Sequence, residues 1–357
     1  MWNQNNVSNL LGTPYPIIQA GMAGGVTTAN LVSTVSNSGG LGSLGAGYMS
    51  ADDMKRAIKE IRNQTNQPFG VNLFIPETPI VKEEQITNTQ RLLEPYKKEL
   101  HLTDDRPFSE LQTDFEKQLE IIFNEKIPVC SFTFGAPSKE LVKELKKEGT
   151  IVIGTATTVE EAVVNEERGV DIVVAQGSEA GGHRGTFLGS FKHSMIGTFS
   201  LVPQVVDAAS IPVIASGGIM DGRGVIAALA LGAKGVQMGT AFLTCNESGA
   251  GTSHKRAVLE SAETHTVITA AFSGKPARGI VNRFTREMQE FERQLPPYPI
   301  QNALTKKLRK EAGIQGNPEF MSLWSGQSPR LSRDISAKDL LESIVTQVEE
   351  TLGRLNE

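Results

Sequence analysis

Cysteine is scarce in this sequence: Cys130 and Cys245 are the only two among 357 residues, and neither sits in a CxxC or a Cys/His ligand spacing. A zinc site is therefore not expected, no other metal is called for, and both thiols read as buried bystanders. Clustered Lys and Arg are also missing, and the formal net charge is −5 with a pI near 5.7, which argues against a nucleic-acid partner and for a small molecule. No apolar stretch reaches 18 residues, and the N-terminus, MWNQNNVSNLLGTPYP, lacks a basic region followed by an apolar run. The expectation is a soluble, cytoplasmic protein without a membrane partner, a monomer or a homodimer.

What is present is ordinary globular composition, 39% hydrophobic and 21% charged, and a rhythm of short apolar runs alternating with longer amphipathic ones. Eight runs read as strands: 15–20, 41–44, 69–74, 129–134, 151–155, 171–176, 212–216 and 235–238. Between them, Ser50 to Thr65 offers an N-cap serine, two aspartates in the first turn, and Met54, Ile58 and Ile61 at helical spacing. Thr158 with Glu161 three residues on reads as a capping box, stopped by Gly169. The spacing predicts an α/β fold, a (β/α)8 TIM barrel of residues 1–240. An insertion after strand three spans about 75–128, with a helix near Leu111 to Lys126. A C-terminal extension, 241–357, is predicted to be mostly helical with a short β-rich segment, to pack near the barrel mouth and to contribute to the substrate pocket.

Two glycine turns stand at the ends of the last two strands, ASGGIMDGRG (215–224) and GVQMGTAF (235–242), where barrels of this kind build phosphate sites. Gly217, Gly218 and Gly239 let backbone N–H groups approach an anion without interference from a Cβ. By contrast, Gly40, Gly42 and Gly45 match GxGxxG but overlap a strand that follows a helix, so close strand–helix packing is the better reading than a dinucleotide fingerprint. A phosphate site alone does not separate a flavin enzyme from a phosphosugar isomerase or a nucleotide dehydrogenase. Asn72 and Gln176, at the ends of strands three and six, suit the edge of a flavin ring and its ribityl chain. Met22, just past strand one, offers a soft apolar contact or fills a gap in the core. A dehydrogenase working through a covalent cysteine drops out, since neither thiol lies in a mobile Gly/Ser-rich loop.

His183 lies in AQGSEAGGHRG (175–185), directly after strand six, where Gly181 and Gly182 can bend the loop inward. Of the five histidines it alone combines a strand-end position with a glycine hinge, and imidazole suits proton removal from a carbon acid near neutral pH. Glu179 and Arg184 read as loop-orienting or solvated charges.

Taken together, IIQAGMAGGVTTANLVSTVSNSGGLGSLGAG, FGVNLF, GSEAGGHRG, IMDGRG, GVQMGTAF and WSGQSPRL resemble the nitronate monooxygenase family, also called 2-nitropropane dioxygenase, over nearly the whole chain. The resemblance implies FMN as cofactor, with contacts from Asn72, Gln176, Gly181, Gly218 and the run Gln237, Met238, Gly239 and Thr240, and His183 as the base. It also implies oxidation of alkyl nitronates, propionate 3-nitronate foremost, by O2 to carbonyl compounds plus nitrite or nitrate, as a detoxification. The same turns and AGGH loop suit an FMN-dependent NAD(P)H oxidoreductase of the quinone-reductase or enoyl-acyl-carrier-protein-reductase type. Outside enzymes, a non-catalytic phosphometabolite-binding barrel is the competing reading. Spacing assigns no role to Tyr298, Lys306 or Trp324.

Overall fold

A computed structural model describes residues 1–102 and 114–356. All eight expected strands form: β1 (Ile17–Gln19), β2 (Gly42–Gly45), β3 (Phe69–Phe74), β4 (Val129–Thr133), β5 (Ile151–Ala156), β6 (Ile172–Gln176) and, after a two-residue strand β7 (Gly182–His183), β8 (Val213–Ser216) and β9 (Gly235–Met238). They run parallel in the order β1-β9-β8-β6-β5-β4-β3-β2. The ring closes where the Gln19 N–H donates to Leu41 O and the Leu41 N–H to Ile17 O, both at 2.9 Å. The fold is a TIM barrel. Ile18, Leu41, Val129, Ile153, Ile172, Val174 and Ile214 form one apolar cluster with Val7 and Leu11 of the first helix, Asn6–Leu11, which closes the floor.

The local signals in the helices act largely as the chemistry requires. Ser50 accepts from Asp53 N–H at 3.1 Å, and Met54, Ile58 and Ile61 are the buried residues of helix Ala51–Gln64. Thr158 caps helix Val159–Arg168, and Gly169 ends it at φ 92°. The capping box itself does not form. Fully buried Glu161 instead accepts from Thr157 N–H (2.6 Å) and from the N–H groups of Phe187 and Leu188 (2.6 and 2.9 Å). Three backbone donors and the Thr157 hydroxyl (2.7 Å) outcompete a single return bond to its own cap. At Gly40 and Gly42 the close-packing reading holds: an added Cβ would lie 2.8 Å from Leu341 and 2.0 Å from Val32 O.

The helix expected from Leu111 forms over Phe115–Asn124; residues 111–113 lie outside the described residues. It packs against β3 and Ala51–Gln64 and takes the third place in the outer ring. The eighth place has a different origin. After β9 only one helical turn follows, Thr240–Leu243, and the last helix, Ala337–Asn356, returns to pack against Gly222–Ala230 and Ala29–Asn37. Leu340, Leu341, Ile344 and Val348 join the core shared by those helices.

The chain between carries a second apolar cluster. Helix Glu83–Glu99, from the segment after β3, supplies Leu93 and Tyr96 to a core with Phe272, Phe284, Leu308 and Phe320, and its Tyr96 ring stacks edge-on against Phe284 at 5.1 Å. Strands β10 (Thr266–Thr269) and β11 (Ala277–Ile280) form an antiparallel sheet whose third member is β7.

Because the last helix completes the ring, shortening a core side chain on it should weaken the whole barrel. Leu341→Ala is expected to lower the free energy of unfolding by about 2–5 kcal/mol in one cooperative denaturant transition. A barrel transition unmoved from wild type would show the helix to be an appendage.

Candidate active site

Side chains from the C-terminal ends of the barrel strands and from the segments above them line one cleft. Met22, Asn72, Gln176, Gly181, His183, Gly217, Gly218, Gln237, Gly239 and Thr240 all line it. Met238 does not: it is 1% exposed and packs between the strands and the helices. Alternation along β9 accounts for this, since Gln237 faces the cleft and its neighbour must face away.

At one end of the cleft, Gly217 and Gly218 adopt φ 114° and 73°, a conformation that L side chains avoid. Among the described residues, the backbone N–H groups of Gly218, Gly239 and Thr240 donate to no protein acceptor. Unused backbone donors converging on a cleft are suited to an anion. A segment the glycine turns gave no hint of closes over them. The Gly326 N–H donates to Thr240 Oγ1 at 2.8 Å, and Gly326 and Ser328 line the cleft.

Between the ends, Asn72 Nδ2 is committed to Ser131 Oγ (2.9 Å) and Thr133 Oγ1 (3.1 Å), while its Oδ1 accepts no bond among the described residues. Gln176 is tied to the loop that follows it, accepting from the Gly185 N–H at 2.8 Å and donating to His183 O at 3.2 Å.

At the other end His183 is partly buried in β7, paired with Ala277. Its Nε2 lies 2.8 Å from Ser273 Oγ, and that hydroxyl also lies 3.0 Å from Lys275 O. With the serine proton donated to the carbonyl, Nε2–H donates to Ser273 and Nδ1 keeps the lone pair. Burial, and then the positive charges of Arg309 and Lys275, push the imidazole pKa down to about 3, so the ring is neutral at ordinary pH. Rings surround it: Trp324 at 5.3 Å, Phe134 at 5.7 Å and Tyr298 at 6.3 Å, with Tyr48 and Phe74 completing the recess. Burial raises the Tyr48 hydroxyl to about 12, which keeps that wall uncharged. Across the cleft, His254 Nε2–H donates to Trp324 O at 2.9 Å. Lys306 is exposed.

The two charges of the loop act from behind it. Glu179 accepts from Thr198 N–H (2.8 and 3.0 Å) at the start of helix Thr198–Ala208. Arg184, 1% exposed, donates to the carbonyls of Gln176, Gly177 and Ser194. Burial holds its guanidinium below the ordinary range, at about 10, still charged at neutral pH.

The family model for nitronate monooxygenase matches residues 5–347. Probable nitronate monooxygenases of Staphylococcus haemolyticus and Staphylococcus aureus are 51% and 50% identical to this chain, over 99% of each chain. The chain belongs to the nitronate monooxygenase family. Among solved structures it resembles a nitroalkane oxidase from Streptomyces ansochromogenes, with 40% identity and a TM-score of 0.92 over 98% of this chain and 99% of the other. It also resembles FabK from Thermotoga maritima, with 34% identity and a TM-score of 0.78 over 99% and 98%. Membership of this family makes the chain an oxidoreductase. No helix among its described residues is long and apolar enough to cross a membrane.

In this nitronate monooxygenase family member, Ser273, Lys275, Tyr48 and Phe134 escaped the sequence reading, and Trp324 was named without a role, because nothing local ties them to His183. Ser273 and Lys275 lie in the stretch expected only to be β-rich.

Arg184→Met should remove the guanidinium from three carbonyls, of which Gly177 O keeps the Ala180 N–H at 3.2 Å. The expected loss of stability is about 2 kcal/mol or more, at roughly 1–3 kcal/mol per unsatisfied group. Urea denaturation checks it; a loss under about 0.5 kcal/mol would mean water replaces the guanidinium.

Proposed function

We propose that this chain is an FMN-dependent nitronate monooxygenase, oxidising alkyl nitronates such as propionate 3-nitronate with O2 to carbonyl compounds plus nitrite or nitrate, in a detoxifying role. The observation that carries this reading is one cleft with unused backbone donors at one end and a neutral, serine-held imidazole at the other.

The residues fit FMN. The N–H groups of Gly218, Gly239 and Thr240 would take its phosphate, and the amides of Asn72, Gln176 and Gln237 would meet the ring edge and ribityl chain. When bound, the flavin supplies an acceptor for the substrate's electrons and passes them to O2.

The chain's own groups then favour a substrate that is already an anion. Arg309 and Lys275 disfavour an imidazolium at His183; Lys275 is ion-paired with Glu77, so the positive field that attracts a nitronate is chiefly that of Arg309. Arg309 has no carboxylate partner among the described residues; it is tied to Asn302 and Thr305. An imidazole whose conjugate acid dissociates near pH 3 is a weak base toward a neutral nitroalkane. His183 therefore serves nitronates chiefly as a hydrogen-bonding and positioning group, and the recess of rings takes the alkyl part and excludes water.

Two measurements test the reading. Purified protein should be yellow, and its flavin should bleach anaerobically on adding propionate 3-nitronate while NADH and NADPH leave it unchanged; bleaching by either nucleotide would favour the NAD(P)H oxidoreductase, and a colourless protein that takes up no FMN would favour a non-catalytic barrel. With a nitronate as substrate, kcat/KM should show no histidine inflection near 6.5 between about pH 5 and 8, because His183 loses its proton far below that window. A bell or step there would contradict the neutral-imidazole assignment.

A further inference from the structure

Phe134 is placed in the cleft by a backbone conformation that phenylalanine ordinarily avoids. Along β4 the residues alternate. Ser131 and Thr133 line the cleft, while Cys130 and Phe132 are fully buried in the layer between strands and helices. Continued extension would send residue 134 to the helix side with Phe132. Instead Phe134 has φ 72°, and its ring, 3% exposed, lines the cleft. A bulky residue in the left-handed region is strained, and such strain persists only where the surroundings hold it.

The surroundings do hold it, and they come from four separate parts of the chain. The ring lies 4.5 Å from that of Phe74 at the end of β3, 5.4 Å from Tyr298 and 5.7 Å, edge-on, from His183. Lys275 Nζ sits 4.6 Å over the ring centroid, within cation–π range, and Glu77 holds the ammonium in place as an ion pair. Lys275 belongs to the same short turn as Ser273, whose hydroxyl meets His183. One turn thus sets both the imidazole and the aromatic wall beside it.

We propose that Phe134 is a specificity-determining residue, the wall that limits the carbon skeleton a substrate can carry at His183. It would admit short alkyl groups and reject bulky cyclic ones. The proposal rests on the nitronate reading given above. A side chain held on all sides and strained in its backbone is a stiff boundary, and stiffness is what allows a wall to discriminate between groups differing by a few carbons.

The test compares wild type with Phe134→Ala and Phe134→Leu on 1-propyl and cyclohexyl nitronates. It also follows binding of butanoate and cyclohexanecarboxylate, planar anions that cannot react, by the fluorescence of Trp324 in a Trp2→Phe background. Phe134→Ala should shift the kcat/KM ratio toward the cyclohexyl substrate by at least tenfold, chiefly through KM, and should tighten cyclohexanecarboxylate relative to butanoate by a similar factor. Phe134→Leu, which keeps an apolar side chain, should shift both less. A ratio within twofold of wild type in a folded Phe134→Ala protein, in kinetics or in binding, overturns the proposal. Should wild type oxidise neither nitronate, the functional reading fails, and the carboxylate pair still decides the role of Phe134.

Discussion

The antiparallel pairing of Gly182–His183 with Ala277–Arg278 is the contact on which the site depends. A loop following a barrel strand would otherwise present a glycine-rich, mobile segment to solvent. Here it becomes the edge of a small sheet, and the Arg184 N–H extends the pairing to Pro276 O at 2.8 Å. Sheet register fixes which residue faces the cleft, so the position of His183 is set by a strand almost a hundred residues away.

The same loop is anchored from below by charge. Arg184 collects the carbonyls of Gln176, Gly177 and Ser194, and Arg278 donates to Ser178 O at 2.9 and 3.0 Å. Glu161 and Glu179 collect N–H groups of segments on either side. An irregular buried loop cannot satisfy its own backbone, and these four side chains do it. Above the loop, by contrast, Glu77 holds Lys275 over the Phe134 ring, and Arg309 has no carboxylate partner among the described residues. Charge thus serves in two ways: paired with backbone beneath the loop, and at Arg309 left to act on an anion above it.

The barrel was legible in the sequence because each strand is a short apolar run bounded by turn residues, a signal local to a few positions. Asn72 and Gln176 were legible as amides at strand ends and Gln237 only through the family resemblance, while alternation along β9 explains why Met238 faces the helices. The capping box at Thr158 failed for a tertiary reason: the N–H groups that Glu161 prefers belong to Phe187 and Leu188, brought near only by folding. Alternation could not have placed Phe134 in the cleft, since its positive φ breaks the pattern that Ser131 and Thr133 obey.

By itself the sequence determined the eight-stranded frame, the glycine turns at the ends of the last two barrel strands and the strand-end location of His183, because hydrophobic period and turn chemistry are read from adjacent residues. Only the tertiary structure decided what surrounds them. The return of Ala337–Asn356 to the outer ring, the sheet that captures His183, the serine that holds its Nε2 and the ring wall at Phe134 all join residues far apart in the chain. Apolar burial brings these segments together, and no local pattern records which distant surface each will meet.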